Sequence, residues 1–68
     1  MTRHFSGRKL KEARLVAGVS RRELATQLGS SYKTLASYEQ GIRVPSVLRA
    51  AALADAIGVR LDELLEEE

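Results

Sequence analysis

Four serines and four glycines divide this chain before any hydrophobic pattern is considered. Ser6, Ser20, Ser31 and Ser46 each stand just ahead of a run rich in helix formers, and Gly18, Gly29, Gly41 and Gly58 each stand just behind one. A serine hydroxyl satisfies an amide that a helix start leaves without a partner, and glycine accepts the left-handed backbone that commonly closes a helix. The intervals leave room only for short helices. They predict helices over about 7–17, 21–28, 32–40 and 47–57, and a last one over about 61–66. No stretch alternates apolar and polar residues as a half-buried strand would. The expected fold is therefore all-α: a compact single domain of five helices over residues 7–66, preceded by a flexible arm at residues 1–6.

Each helix carries an apolar stripe at helical spacing. Leu10, Ala13 and Ala17 mark the first, Leu24, Ala25 and Leu28 the second, and Val47, Ala50, Leu53, Ala54 and Ile57 the fourth. Two start signals are doubled. Ser20 and Glu23 form a capping box, and Phe5 with Leu10, like Val19 with Leu24, occupies the positions of a hydrophobic staple. These stripes must supply nearly all the stability. A chain of 68 residues without cysteine buries only about 60% of its unfolded surface and has no disulfide or thiolate metal site to help it. No apolar run approaches the roughly 20 residues that span a bilayer, and MTRHFSGRK is not a signal peptide. Cytoplasm is the default location. Glu66, Glu67 and Glu68 fall where a helix dipole disfavours negative charge, and the reading expects them to fray.

Charge is unevenly spread. Residues 1–49 hold ten Lys/Arg against three Asp/Glu, a balance of +7, and residues 50–68 hold one against six, a balance of −5. A basic body points to a polyanionic partner, although ordinary surface charge gives the same totals. The stretch from Ser20 to Gly41 sharpens the choice, because two short helices joined at a glycine turn are the layout of a helix-turn-helix. On a helical wheel, Thr34, Leu35, Tyr38 and Glu39 fall on one side of its second helix. Tyr32, Lys33, Ala36, Ser37 and Gln40 fall on the other. That second side lacks a large aliphatic residue. Its small centre permits close approach to a surface, and Tyr32, Lys33, Ser37 and Gln40 supply the donors and acceptors that base edges require. A plain solvated face would look similar. Arg21 and Arg22 stand in the first turn of the second helix and Lys33 in the first turn of the third, where the helix dipole makes a cation unfavourable by roughly 0.3–1 kcal/mol. A bound phosphate turns that cost into an advantage. Arg43, just past the third helix, can hold the backbone on that side. Catalysis finds no support: His4 is the one histidine and lies in the arm, while Asp62 and Glu63 are adjacent on a short exposed helix. No metal site, cofactor or small-molecule ligand is expected.

From Leu10 to Leu65 the chain resembles the Cro and phage-repressor-like (XRE-type) helix-turn-helix family. The matching pieces are LKEAR, GVSRRELATQLG, SSYKTLASYEQG, the VPS before helix four, and LADAIGVRLDELL. The resemblance implies a lambda-repressor-like DNA-binding domain in the cytoplasm, associated with the nucleoid. Its helix three would enter the major groove of double-stranded DNA. Tyr32, Lys33 and Ser37 would then lie near bases with Gln40 at the edge, and Arg21, Arg22, Ser31 and Arg43 would meet phosphates. Arg21 replaces the glutamine usual at its position. The resemblance also implies a structural salt bridge between Arg14 and Glu39. It implies a transcriptional regulator, most simply a repressor, that binds a palindromic operator as a homodimer. Leu61, Leu64 and Leu65 are the candidate dimer surface, with core closure as the competing role for Leu61 and Leu64. The alternative function is a protein-interaction or antitoxin-like subunit built on the same fold.

Overall fold

The computed structural model describes residues 2–67. Its elements in chain order are β1 (Arg3–Phe5), α1 (Gly7–Ala17), α2 (Arg21–Gln27), α3 (Tyr32–Gln40), α4 (Val47–Ile57), a 3-10 turn (Leu61–Leu64) and β2 (Leu65–Glu67). All four serines cap as expected. The hydroxyls of Ser6, Ser20, Ser31 and Ser46 accept the amides of Lys9, Glu23, Thr34 and Arg49 at 3.0–3.1 Å. The Ser20 amide in turn donates to Glu23 Oε1 at 2.9 Å, which completes the capping box. At Gly41 the backbone turns left-handed, with φ 79°, and its amide closes α3 on the carbonyls of Ser37 and Tyr38.

The core is assembled one leucine at a time. Leu10 of α1, Leu24 of α2, Leu35 of α3, Leu53 of α4 and Leu64 of the 3-10 turn are each fully buried. Ala25, Tyr38, Ala54 and Ile57 complete the cluster, and Phe5, Ala13, Val19 and Leu28 close its margins. Each element thus contributes at least one side chain worth about 1.5–3 kcal/mol on burial. The relative placement of α2 and α3 follows from three of these, Leu24, Leu35 and Tyr38.

The end of the chain differs from the expected fifth helix. Leu61–Leu64 makes a single 3-10 turn, Leu65 is extended at φ −110° and ψ 150°, and Leu65–Glu67 pairs antiparallel with Arg3–Phe5. The arm at residues 1–6 is therefore not a free tail over Arg3–Phe5. Arg3 faces Glu67, an opposite-charge cross-strand position of the kind that favours a sheet, whereas the same glutamate at a helix C-terminus meets an unfavourable dipole. Arg60, at the start of the turn, makes no side-chain cap. Two hydrogen bonds tie this segment to the start of α1: the Ser6 amide donates to the Leu64 carbonyl at 2.8 Å, and the Lys9 side-chain Nζ donates to the Leu65 carbonyl at 2.7 Å. Glu66 is held by a hydrogen bond from Ser6 first and then by Arg8 and its neighbours, which keep its carboxyl below the usual range. Glu68, the third glutamate expected to fray, lies outside the described residues.

Gly7 shows how closely α1 and α3 approach. A methyl group at that position would run into the backbone carbonyl oxygen of Tyr38 and lie 2.8 Å from that of Glu39. Neither is the end of a flexible side chain, so neither can yield without moving α3. Gly7→Ala is expected to cost about 1–3 kcal/mol through overpacking, read as a lowered urea midpoint with an unchanged slope.

Candidate nucleic-acid interface

Helix α3 divides its residues between two faces. Leu35, Tyr38 and Glu39 are buried; Tyr32, Lys33 and Gln40 are exposed, and Ala36 and Ser37 are half-buried between them. The inward face contains a charge, and its partners are all at hand. Glu39 has a side chain only 1% exposed. Its Oε2 accepts Arg14 Nε at 2.6 Å, and its Oε1 accepts Arg14 Nη2 at 3.2 Å. Arg14 Nη1 donates to the Val19 carbonyl at 3.0 Å. One end of α1, the turn into α2 and the end of α3 are joined through this pair. No described buried side-chain polar atom is left without a partner, as a charge removed from water requires.

A third member of the group could not be read from the sequence. Arg21 Nε donates to Glu39 Oε1 at 2.8 Å, and Arg21 Nη1 donates to the Tyr32 hydroxyl at 3.3 Å. The guanidinium carbon lies 5.8 Å from the centre of the Tyr32 ring, within reach of a cation–π attraction. Arg21 is thus drawn partly inward, and its pKa is raised, first by the hydrogen bond to Glu39 and then by that to Tyr32. Nothing local in the sequence signals the contact. Arg21 and Glu39 lie on different helices, and the link exists only once Leu24 and Leu35 have set the angle between α2 and α3.

The remaining residues of the expected interface sit as follows. Arg22, Lys33 and Arg43 are exposed. The Ser31 hydroxyl caps α3 and bonds the Thr34 hydroxyl at 3.0 Å. Ser20, Arg14, Arg21, Arg22 and Tyr32 line an open cleft beside α3. Counting Arg14, Arg21 and Arg22 against Glu39, this corner carries a surplus of two positive charges. Among the described residues no group of His, Cys, Asp and Glu has the arrangement of a metal site, and no helix is long and apolar enough to cross a membrane.

Of the three leucines expected at a dimer surface, Leu64 is fully buried in the core cluster, which is the competing core-closing role and removes it from any surface; Leu61 and Leu65 are half-buried. The large apolar side chains exposed among the described residues are Leu15, Val16, Tyr32, Ile42, Val44, Val47 and Leu48. Four of these seven fall within residues 42–48, immediately after α3.

Comparison with known proteins agrees with the fold. The helix-turn-helix family model matches residues 10–64. The chain belongs to the Cro/phage-repressor-like (XRE-type) helix-turn-helix family of DNA-binding transcriptional regulators. It is 42% identical over 62 residues to a candidate HTH-type transcriptional regulatory protein of Aeropyrum pernix, covering 91% of this chain but only 18% of that protein. It is 36% identical over 62 residues to the uncharacterised HTH-type transcriptional regulator YgzD of Bacillus subtilis, covering 88% of this chain and 94% of that one. Among solved structures, the restriction-modification controller protein C.AhdI of Aeromonas hydrophila superposes with a TM-score of 0.80 at 31% identity, over 85% of this chain and 88% of that one. The biofilm master regulator SinR, solved in complex with DNA, gives 0.78 at 27% identity, over 85% and 94% of the two chains.

Glu39 provides a pH dependence with a definite sign. Burial alone would raise its pKa, but the hydrogen bonds and charges of Arg14 and Arg21 outweigh burial and hold it below the usual carboxylate range. A carboxyl whose folded pKa lies below its unfolded value contributes stability that is complete above the unfolded value, about 4.3, and is lost as the pH falls below it. The urea midpoint is expected to fall as the pH drops below that unfolded value. Glu39→Gln, which leaves Arg14 buried without a counter-charge, is expected to cost about 3–5 kcal/mol at neutral pH and to flatten that acid limb.

Proposed function

We propose that this chain is a sequence-specific DNA-binding transcriptional regulator that represses by occupying a palindromic operator with α3 in the major groove. The observation that carries the reading is the outward face of α3. It presents Lys33, Ser37 and Gln40 around a half-buried Ala36, with no large aliphatic side chain, beside a corner of surplus positive charge. The major groove admits a helix, and such a face suits close approach to base edges. Lys33 and Ser37 read base edges, with Gln40 and Tyr32 at the two ends. Arg21, Arg22, Ser31 and Arg43 contact phosphates and so set register without reading sequence. SinR, a protein of similar fold, is solved in complex with DNA, which supports DNA as the partner. Such a protein acts in the cytoplasm, on the nucleoid.

One small domain makes few contacts, so the operator is bound by two copies. The apolar patch of Ile42, Val44, Val47 and Leu48 supports a second copy as its occupant. Ile42 directly follows α3 and its closing glycine. A two-fold axis that joins patch to patch therefore holds two α3 helices at a fixed separation, as half-sites about one helical turn apart require. Four side chains give a contact of a few hundred Å² per copy, too small for a stable free dimer. The two copies accordingly pair on DNA.

Selection from a random duplex library tests the whole reading, and the expected result is a palindrome. Affinity for duplex DNA is expected to fall steeply with salt, and Arg43→Ala is expected to weaken every sequence alike and reduce the salt slope by about 1. Lys33→Ala and Ser37→Ala are expected to change preference at one or two positions, by about 1–3 kcal/mol each. Leu48→Glu is expected to abolish cooperative filling of the palindrome while leaving half-site binding intact. Absence of salt-dependent duplex binding even at low ionic strength would remove the DNA reading and favour a protein-interaction or antitoxin-like subunit.

A further inference from the structure

The contact between Arg21 and Tyr32 changes what Tyr32 can do. We propose that Tyr32 and Arg21 act as one phosphate clamp whose geometry is set by Glu39, so that Tyr32 grips the DNA backbone instead of reading a base. The inference rests on the DNA-binding reading above and assigns new roles to Tyr32 and Glu39 within it.

A guanidinium is planar and carries five N–H donors in a fixed fork, and a tyrosine hydroxyl both accepts and donates. Arg21 Nε is committed to Glu39 Oε1 at 2.8 Å. The carboxylate is itself immobile, because it is buried and held by Arg14 through two bonds. The plane of the Arg21 fork is therefore fixed from behind. One Nη1 hydrogen then goes to the Tyr32 oxygen at 3.3 Å, and the ring lies against the guanidinium. Because the Tyr32 oxygen accepts from Arg21, its own hydrogen points elsewhere. Both Nη2 hydrogens, the second Nη1 hydrogen and the Tyr32 hydroxyl hydrogen remain at the cleft lined by Arg14, Ser20, Arg21, Arg22 and Tyr32.

This corner is rich in donors and poor in acceptors. The Ser20 hydroxyl already accepts the Glu23 amide, and both Glu39 oxygens are occupied. Its surplus positive charge is turned toward solvent. A tetrahedral phosphate oxygen pair matches a guanidinium edge and a neighbouring hydroxyl. A base edge offers an acceptor to the Tyr32 hydroxyl but leaves the Arg21 fork beside it unmatched, whereas one phosphate satisfies both groups where they already stand. Glu39 is a positioning residue here, acting on DNA only through Arg21, and sequence reading falls to Lys33, Ser37 and Gln40.

Arg21→Lys and Tyr32→Phe test the clamp with little risk to the fold, since Tyr32 is half-exposed and the Arg14–Glu39 pair is kept. Arg21→Lys preserves the charge and removes the fork; Tyr32→Phe preserves the ring and removes the hydroxyl. Binding of the full chain to its selected duplex and to single-mismatch duplexes is measured across a salt series. Each variant is expected to bind every duplex about tenfold more weakly, with unchanged base preference, and Arg21→Lys is expected to retain the wild-type salt slope. The double variant is expected to be little worse than Arg21→Lys alone. Inorganic phosphate added to the free chain is expected to shift the Tyr32 ring resonances in the wild type and not in Arg21→Lys. Wild-type affinity in both variants, or a changed preference at one base in Tyr32→Phe, overturns the clamp while the DNA reading stands. An Arg21-dependent phosphate shift in a chain that binds no duplex overturns the DNA reading and leaves a clamp for another phosphate ligand.

Discussion

The buried carboxylate of Glu39 is the point on which the arrangement of this domain depends. It sits near the end of α3, takes Nε and Nη2 of Arg14 from α1 and Nε of Arg21 from α2, and so binds three helices to one anion. A single buried charge without partners would be ruinous, and a single partner would leave lone pairs unmet. Two guanidinia satisfy it and leave one positive charge over. That excess cannot be hidden, because Arg21 is at the edge of the core, and it emerges beside the lean face of α3. Core electrostatics and ligand electrostatics are the same charges here, seen from opposite sides.

Packing and charge divide the labour. The five leucines, one from each helix and one from the 3-10 turn, hold the helices together without direction, since apolar burial is indifferent to rotation. The carboxylate with its two arginines is directional, and it sets how α3 is turned about its own axis. Gly7 contributes from the other side by letting α1 lie against the last carbonyls of α3. The outward set of Lys33, Ser37 and Gln40 is therefore held by contacts made entirely on the opposite face of the same helix.

Much of this was legible in the residues. Serine caps, glycine stops and apolar spacing are local signals, and they placed α1 to α4 within a residue or so of their observed ends. The two faces of α3 follow from the same periodicity. What was not legible is long-range. The pairing of Arg3–Phe5 with Leu65–Glu67 depends on two segments meeting from opposite ends of the chain, and three-residue strands are too short to show alternation. Leu61-Asp62-Glu63-Leu64 reads as a helical stripe because a 3-10 turn also places residues three apart on one side. The tie from Arg21 to Glu39 is of the same kind. Arg14 and Glu39 were paired through family resemblance, whereas an arginine at the position usually held by glutamine had no precedent to say that it would join them.

The small sheet has a consequence for the order of folding. The helices close over short spans of chain, but the strands join Arg3 to Glu67 and Phe5 to Leu65, the longest closures in the molecule. Loop entropy makes such contacts late to form, and three strand pairs with the hydrogen bonds from Ser6 and Lys9 reward them. The sheet is then the last part to close and the first to open. Leu64 is buried in the turn that leads into β2, and its carbonyl accepts the Ser6 amide, so core and closure share that residue. The paired strands act as a latch on the α1 side of the core, apart from α2 and α3.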